Sequence, residues 1–196
     1  MIYIWGNEMV NKQEAYDYIK ANLKESRFIH TLGVVSVAKK LAENNGVDIE
    51  KAEIAALCHD IAKNIPVDEM EKIIKDKKII LTEDEKNTKE LWHSILAPVL
   101  AKEKLKIEDE EILSAIRWHT TGKENMSKLD KIIYIADMIE PSRKFDGVEE
   151  IREATIKNLE NGVLLGLTQS IKFLLLKGAL VDLNSIKARN YLINNR

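Results

Sequence analysis

Two aspartates of this chain stand inside apolar runs that contain no lysine or arginine. Residues 54–62 read Ile-Ala-Ala-Leu-Cys-His-Asp-Ile-Ala and so place His59 and Asp60 in one apolar segment. Residues 132–139 read Ile-Ile-Tyr-Ile-Ala-Asp-Met-Ile, in which Asp137 is the only charged residue. A buried carboxylate is unfavourable by several kcal/mol unless a positive group meets it. The fold must therefore bring a positive partner to both carboxylates, and the economical partner is a divalent metal ion.

The histidines extend this pattern. The four in the chain are His30, His59, His93 and His119. Four imidazoles and two carboxylates are more ligands than one tetrahedral site needs, and they suit two ions that share a bridging carboxylate. Mixed nitrogen and oxygen ligation favours iron, manganese, cobalt or zinc over magnesium or calcium. The alternative, that each histidine is separately a hydrogen-bonded core residue, is much less economical for all six together. We predict two divalent metal ions.

Helical signals dominate the chain, and we find no alternating strand pattern and no repeat. The predicted helices cover about 12–24, 28–45, a segment after Asp48 with His59 and Asp60 near its end, a short segment after Asp68, one segment carrying His93, one ending at His119, one from Ser127 to Pro141, a long one over 148–177 and a last one after Asp182. Residues 76–87 are predicted as a charged loop. The fold class is therefore all-α, with residues 11–196 as a single domain after an N-terminal extension of residues 1–10.

Composition excludes several classes of partner. The net charge is −2, so no strong field indicates a nucleic-acid or membrane partner. The single cysteine, Cys58, excludes an internal disulfide and indicates a reducing, cytoplasmic compartment. No segment approaches the ~18 apolar residues of a membrane span.

The long helix predicted after Val148 is apolar on one side. We expect this side to close the core, and a homodimer interface is the alternative.

Five segments carry the six candidate ligands. They are RFIHTLGV (27–34), ALCHDIAK (56–63), LWHS (91–94), WHTTG (118–122) and ADMIEP (136–141). Together, and in this order, they resemble the HD superfamily of metal-dependent phosphohydrolases, and in particular its YqeK-type members, over about residues 15–190. The resemblance implies an HD-domain helical bundle with a dinuclear metal site, most often iron, in its core. It also implies symmetrical hydrolysis of a dinucleoside tetraphosphate, in which diadenosine tetraphosphate is split into two ADP.

The resemblance also assigns the ligands. His30, His59, Asp60 and Asp137 are expected to hold one metal, and Asp60 is expected to bridge to a second metal held by His93 and His119. Two metals ~3.5–4 Å apart acidify a bridging water and clamp phosphoryl oxygens, so the expected nucleophile is a metal-bridging hydroxide. The catalytic candidates are Asp60 and Lys63.

Cations and hydroxyls near the ligands are candidates for binding the substrate phosphates. They are Arg27, Lys63, Thr120, Thr121 and Arg143. Arg27 lies one helical turn before His30, and Lys63 lies one helical turn after the His59–Asp60 pair. A guanidinium binds phosphate in a bidentate way, and hydroxyls with backbone amides can cradle it. Solvated or helix-ending roles are the alternatives for each, and Glu140-Pro141 is expected only to end its helix.

Other functions fit part of the pattern. Another HD-type nucleotide phosphohydrolase or phosphodiesterase would use the same ligands, although the chain lacks the Gly-Tyr-Pro signature of cyclic-di-GMP phosphodiesterases. A non-hydrolytic di-iron bundle typically has two Glu-x-x-His motifs, whereas this chain has one, over residues 90–93. A non-catalytic nucleotide sensor would not need all six ligands. Nothing in the sequence distinguishes adenine from guanine dinucleotides.

Overall fold

A computed structural model describes residues 12–195. Within that range the chain forms eleven α-helices and one 3-10 helix, with no β-strand. The α-helices are α1 (Lys12–Asn22), α2 (Glu25–Asn45), α3 (Ile49–Cys58), α4 (Val67–Asp76), α5 (Glu83–Asn87), α6 (Trp92–Leu105), α7 (Glu110–Trp118), α8 (Lys128–Ile139), α9 (Val148–Lys157), α10 (Leu159–Leu176) and α11 (Leu183–Asn194), and the 3-10 helix is Lys89–Leu91. The predicted all-α fold is confirmed. The predicted extension, residues 1–10, lies outside the described residues.

Helix α8 is the centre of the bundle. It packs against α2, α7 and α10, and also against α3 and α9. Ile132, Ile133 and Ile135 are fully buried, and each such side chain contributes roughly 1.5–3 kcal/mol by leaving water. A capping box starts the helix, since Ser127 Oγ accepts from Asp130 N and the Asp130 carboxylate accepts from Ser127 N. The apolar run that carries Asp137 is therefore the core helix, and it carries the carboxylate into the interior.

The prediction of one long helix over residues 148–177 is wrong, because two helices, α9 and α10, occupy this range. The chain breaks at Asn158, which is extended at φ −160° and whose side chain accepts from Asn161 N at 2.9 Å. Asparagine favours such caps because its side chain replaces a missing backbone acceptor. The break lets α9 and α10 fold back on each other.

The loop predicted over residues 76–87 is also partly wrong, because α5 begins inside it. Thr82 and Glu85 form a reciprocal capping box that starts this short helix. Glu85 is buried and pairs with Arg117 of α7. Tertiary pairing thus stabilises a helix too short to be visible in the sequence pattern.

Several helix ends fall where the sequence predicts them. Gly46 ends α2 in the left-handed conformation at φ 65°, which favours glycine, and the Asp182 side chain caps α11. Among residues 12–195, no helix is long and apolar enough to span a membrane. Apolar side chains remain exposed near the end of α10, including Phe173, Leu175 and Leu176.

Candidate metal centre

All six predicted ligands meet in the interior of the bundle. His30 lies in the second turn of α2, and Asp137 lies in the last turn of α8. The others are placed at helix ends: His59 directly follows α3, His119 directly follows α7, and His93 is the second residue of α6. Their side chains form two groups, each with ligand atoms within 4.8 Å of one another. One group is His30, His59 and Asp137, and the other is Asp60, His93 and His119.

Asp60 lies between the two groups. Its Oδ1 is 3.4 Å from His93 Nε2 and 3.6 Å from His119 Nε2. Its Oδ2 is 3.6 Å from His59 Nε2, on the side of the first group. One carboxylate thus offers one oxygen to each group, which is the geometry that a bridging ligand needs. The side chain is almost fully buried, at 4% exposed.

Three of the histidines are oriented by backbone carbonyls of the third residue before them. The Nδ1 atoms of His59, His93 and His119 lie 2.7, 2.6 and 2.8 Å from the carbonyl oxygens of Ala56, Glu90 and Ile116 respectively. Each Nδ1 therefore carries the hydrogen and each Nε2 presents its lone pair to the interior. The Nε2 atom of His59 is buried with no hydrogen-bond partner. A buried acceptor of this kind, facing two carboxylates, fits a cation.

Burial keeps two of these imidazoles neutral. Desolvation lowers the pKa of His59 to about 4 and that of His93 to about 3. At neutral pH both rings therefore have a free lone pair without first losing a proton. The pKa of His30 is raised instead. Burial acts to lower it, but hydrogen bonds and charge from Asp137 and Glu140 outweigh that effect.

Both aspartates are held ionised despite their burial. Desolvation acts to raise the pKa of Asp60, but His59, His119 and Lys63 together keep it well below its usual range. Desolvation likewise acts to raise the pKa of Asp137, yet this pKa is lowered, first by the hydrogen bond from His30 and also by the charge of Arg143. The centre therefore combines carboxylate oxygens with imidazole nitrogens, which is a donor set for first-row divalent ions.

Three cations surround the two groups. Arg27 Nη1 donates to Asp60 Oδ2 at 2.8 Å, and Arg143 Nη2 donates to Asp137 Oδ1 at 2.5 Å. The Lys63 ammonium lies 3.1 Å from His93 Nε2. The prediction that Lys63 lies on the same helix as His59 and Asp60 is wrong, because α3 ends at Cys58. Lys63 reaches the centre from the turn that follows α3. Its pKa is lowered, chiefly by burial and then by the neighbouring Arg27.

The two predicted threonines behave differently. Thr120 Oγ1 lies 3.4 Å from His93 Nε2, at the edge of the second group. Thr121 is buried, and its hydroxyl donates to the carbonyl of Gly122 at 2.9 Å. The hydroxyl of Thr121 is thus committed to the turn that ends α7, so the structure favours only Thr120 for contact with a ligand.

A pocket of about 390 Å³ opens at the first group. Its walls are Ser26, Arg27, His30, Glu140, Ser142, Arg143, Lys144 and Phe145. The volume lies in the range of small-molecule sites, roughly 300–1,000 Å³. The sequence pattern does not predict a role for Lys144 and Phe145, since both lie in a loop after Pro141 that has no periodic pattern. It also misses Glu140, although an acid three residues after Asp137 lies on the same face of a helix.

A helical bundle in which buried histidines and aspartates converge from five helices or helix ends is the arrangement of metal-binding α-helical proteins. The model of the HD domain family matches residues 27–142, a range that contains all six residues. The chain belongs to the HD domain family, and the family predicted from its sequence is confirmed.

Relatives match over nearly the whole chain. The symmetrical bis(5'-nucleosyl)-tetraphosphatase of Bacillus subtilis is 40% identical over 94% of this chain and 99% of its own length. The protein of the same name from Staphylococcus aureus is 32% identical over 93% of this chain and 94% of its own length. A crystal structure of a predicted HD superfamily hydrolase involved in NAD metabolism from Clostridium acetobutylicum superimposes with a TM-score of 0.91. That protein is 42% identical, and the match covers 96% of this chain and all of that one.

Proposed function

We propose that this chain hydrolyses dinucleoside tetraphosphates symmetrically, so that diadenosine tetraphosphate yields two ADP. The single observation that carries the proposal is the position of Asp60, whose two oxygens face two separate groups of buried ligands. Two cations sharing a carboxylate suit phosphoanhydride hydrolysis. The names and near-complete coverage of the relatives supply the substrate class.

The metal assignment is part of the proposal. His30, His59 and Asp137 would hold one divalent ion, His93 and His119 would hold a second, and both ions would share Asp60. When bound, the two ions supply an acidified water and positive charge for the phosphoryl oxygens. Iron is the metal we propose, and manganese, cobalt and zinc fit the same nitrogen and oxygen donors.

The cations around the centre hold the polyphosphate. Arg27 and Arg143 lie both on the pocket wall and next to the ligand carboxylates, so their guanidinium groups are placed to bind phosphate oxygens at the mouth. Lys63 is deeper, beside His93, where its ammonium meets the charge that develops on the departing nucleoside diphosphate. Thr120 adds a hydroxyl at the same edge, and Thr121 shapes the turn.

Product analysis tests the reaction. Diadenosine tetraphosphate is incubated anaerobically with the iron-loaded protein, and nucleotides are separated by ion exchange. We expect ADP as the only product, at two molecules per substrate. ATP with AMP would show attack at another phosphorus and would overturn symmetrical cleavage. Parallel assays with mononucleotides and cyclic dinucleotides test the alternative, another HD-type phosphohydrolase or phosphodiesterase.

Asp60→Asn tests the bridging carboxylate. The amide keeps the shape of the side chain but removes the charge that two cations share, so we expect turnover to be abolished. The matched control is Asp68→Asn, an exposed acid on α4, which we expect to retain wild-type activity. Full activity of Asp60→Asn would contradict the mechanism.

Lys63→Ala tests the role of the ammonium in the reaction. We expect kcat to fall while the metal content, measured by elemental analysis, stays at the wild-type level. Removing an exposed lysine of α4 by Lys72→Ala is the control and leaves kcat unchanged. Unchanged kinetics in Lys63→Ala would assign the side chain a purely structural role.

The remaining parts of the proposal concern the whole chain. Residues 11–196 act as one HD domain, with residues 1–10 as an extension, and the reaction takes place in the cytoplasm. A homodimer stays a prediction, and sedimentation equilibrium at micromolar concentration measures it directly. A mass near twice the 22.4 kDa of the chain supports it, and a monomer mass rejects it.

A further inference from the structure

Glu140 orients His30 through its side-chain carboxylate, whereas backbone carbonyls orient the other three histidines. Its Oε1 lies 3.0 Å from His30 Nδ1. The carboxylate is almost fully buried, at 2% exposed, and Glu140 directly follows the core helix α8 as its C-cap residue. Its own position is fixed by Ser142, whose backbone N–H donates to Oε2 at 2.7 Å and whose hydroxyl donates to Oε1. Glu140 therefore ends α8, as expected, and its side chain also contacts His30.

The need for a carboxylate follows from where His30 lies. His59 and His119 directly follow their helices, where carbonyls of the last turn have no helical partner and can accept from Nδ1. His30 lies in the interior of α2, where the backbone carbonyls accept the helix's own hydrogen bonds. The carbonyl of Arg27, three residues before it, also accepts from the Thr31 hydroxyl at 3.0 Å. An acceptor for His30 Nδ1 has to come from another element, and Glu140 supplies it.

Gly33 leaves the space for this carboxylate. It lies three residues after His30 on α2, and a Cβ built there would be 2.6 Å from Glu140 Oε2. A glycine within a helix is unfavourable by roughly 1 kcal/mol relative to alanine. The chain accepts this penalty at a position where a side chain would displace the Glu140 carboxylate. Two independent features, the buried acid and the interior glycine, thus serve the same hydrogen bond.

We propose that Glu140 is a positioning residue that makes the His30–His59–Asp137 group the tighter of the two cation sites. This inference rests on the proposed metal assignment. The other three histidines donate to neutral carbonyls, whereas His30 donates to a carboxylate. A charged acceptor forms the stronger hydrogen bond and makes the opposite ring nitrogen more basic. His30 Nε2 faces Asp137 Oδ1 at 2.9 Å, so the added basicity is directed at the first group.

The test is a Co²⁺ titration of protein stripped of metal with a chelator, followed by visible absorption and calorimetry under anaerobic conditions. We expect the wild type to bind two equivalents with distinct affinities. In Glu140→Gln, the tighter site is expected to weaken by about 10- to 100-fold, the usual effect of removing a partner of a ligating histidine, and the weaker site is expected to keep its affinity. The control is Glu150→Gln, the same change at an exposed residue of α9, which leaves both affinities unchanged.

A second variant covers the case in which Glu140→Gln does not fold. Gly33→Ala keeps the Glu140 carboxylate but displaces it. We expect the Co²⁺ affinity of the same site to fall. The melting temperature of the metal-free protein is expected to change too little to account for that loss. Unchanged Co²⁺ affinities in both variants, or an equal loss at both sites, would overturn the role of Glu140. If the wild type itself bound no second equivalent, the proposed two-metal assignment would fail together with this inference.

Discussion

His59 and His93 are kept neutral by burial, and this makes the metal-free folded protein sensitive to acid. An unfolded histidine takes up a proton near pH 6.5, whereas His59 in the folded chain resists protonation until about pH 4. Between these values the unfolded state binds more protons, so stability falls as the pH falls. The difference in pKa corresponds to about 3 kcal/mol for His59, and His93 acts in the same direction.

The prediction is measured by urea unfolding of chelator-treated protein from pH 6.5 to pH 4. We expect the free energy of unfolding to decline through this range, and we expect the decline to be smaller in His59→Asn, which removes the titrating group. The raised pKa of His30 acts outside this window, since its stabilisation is complete below pH 6.5 and is lost only at higher pH. Equal pH dependence in the two proteins would contradict the neutral, buried state of His59.

At the scale of elements, Gly162 permits the close contact between α9 and α10. A Cβ at this position would lie 2.1 Å from Thr155 Oγ1 and 2.6 Å from the Thr155 Cα. The backbone of α9 would have to move, so we expect Gly162→Ala to destabilise the protein by roughly 1–3 kcal/mol, despite the better helix propensity of alanine. Thermal or urea unfolding measures the change.

Gly166, one turn further along α10, provides the comparison. An added Cβ there would meet Met138 Sδ at 2.9 Å and Ile135 Cδ1 at 3.0 Å, which are side-chain atoms far from the backbone. A methionine side chain rearranges readily, so Gly166→Ala is expected to be the milder of the two substitutions. If Gly166→Ala proved the more damaging, the contact at Thr155 would not be what limits the approach of α9.

Most of the helices and all six candidate ligands can be predicted from the sequence, because apolar periodicity and isolated charges are visible in it. An isolated charge in an apolar run, such as Asp137, stands out because its burial needs a partner. The break at Asn158 is not reached, because apolar spacing continues across it and only tertiary packing of α9 on α10 selects the cap. Glu140 is missed because an acid before proline already has an ordinary explanation, and its contact with His30 joins residues distant in the chain.

At the scale of the whole molecule, the candidate centre joins the helices that make up the core. Its ligands come from α2, the end of α3, the start of α6, the end of α7 and α8. These segments are far apart in the unfolded chain, so an ion that binds them together binds the folded state almost exclusively. Ligand binding to the native state alone stabilises it by about 2.7 kcal/mol when the free ion is at 100 times its Kd.

Metal removal should therefore lower the melting temperature. For a domain of this size, 1 kcal/mol of stability corresponds to about 2–4 °C in Tm. If one site is occupied by Mn²⁺ or Co²⁺ at 100 times its Kd, a chelator is therefore expected to lower the Tm by roughly 5–10 °C. Scanning calorimetry with and without chelator measures the shift, and Asp60→Asn is the control because loss of the shared carboxylate should remove most of the metal-dependent part. A Tm that does not respond to chelation in the wild type would mean that these helices are held together by packing alone, and it would count against a resident metal pair.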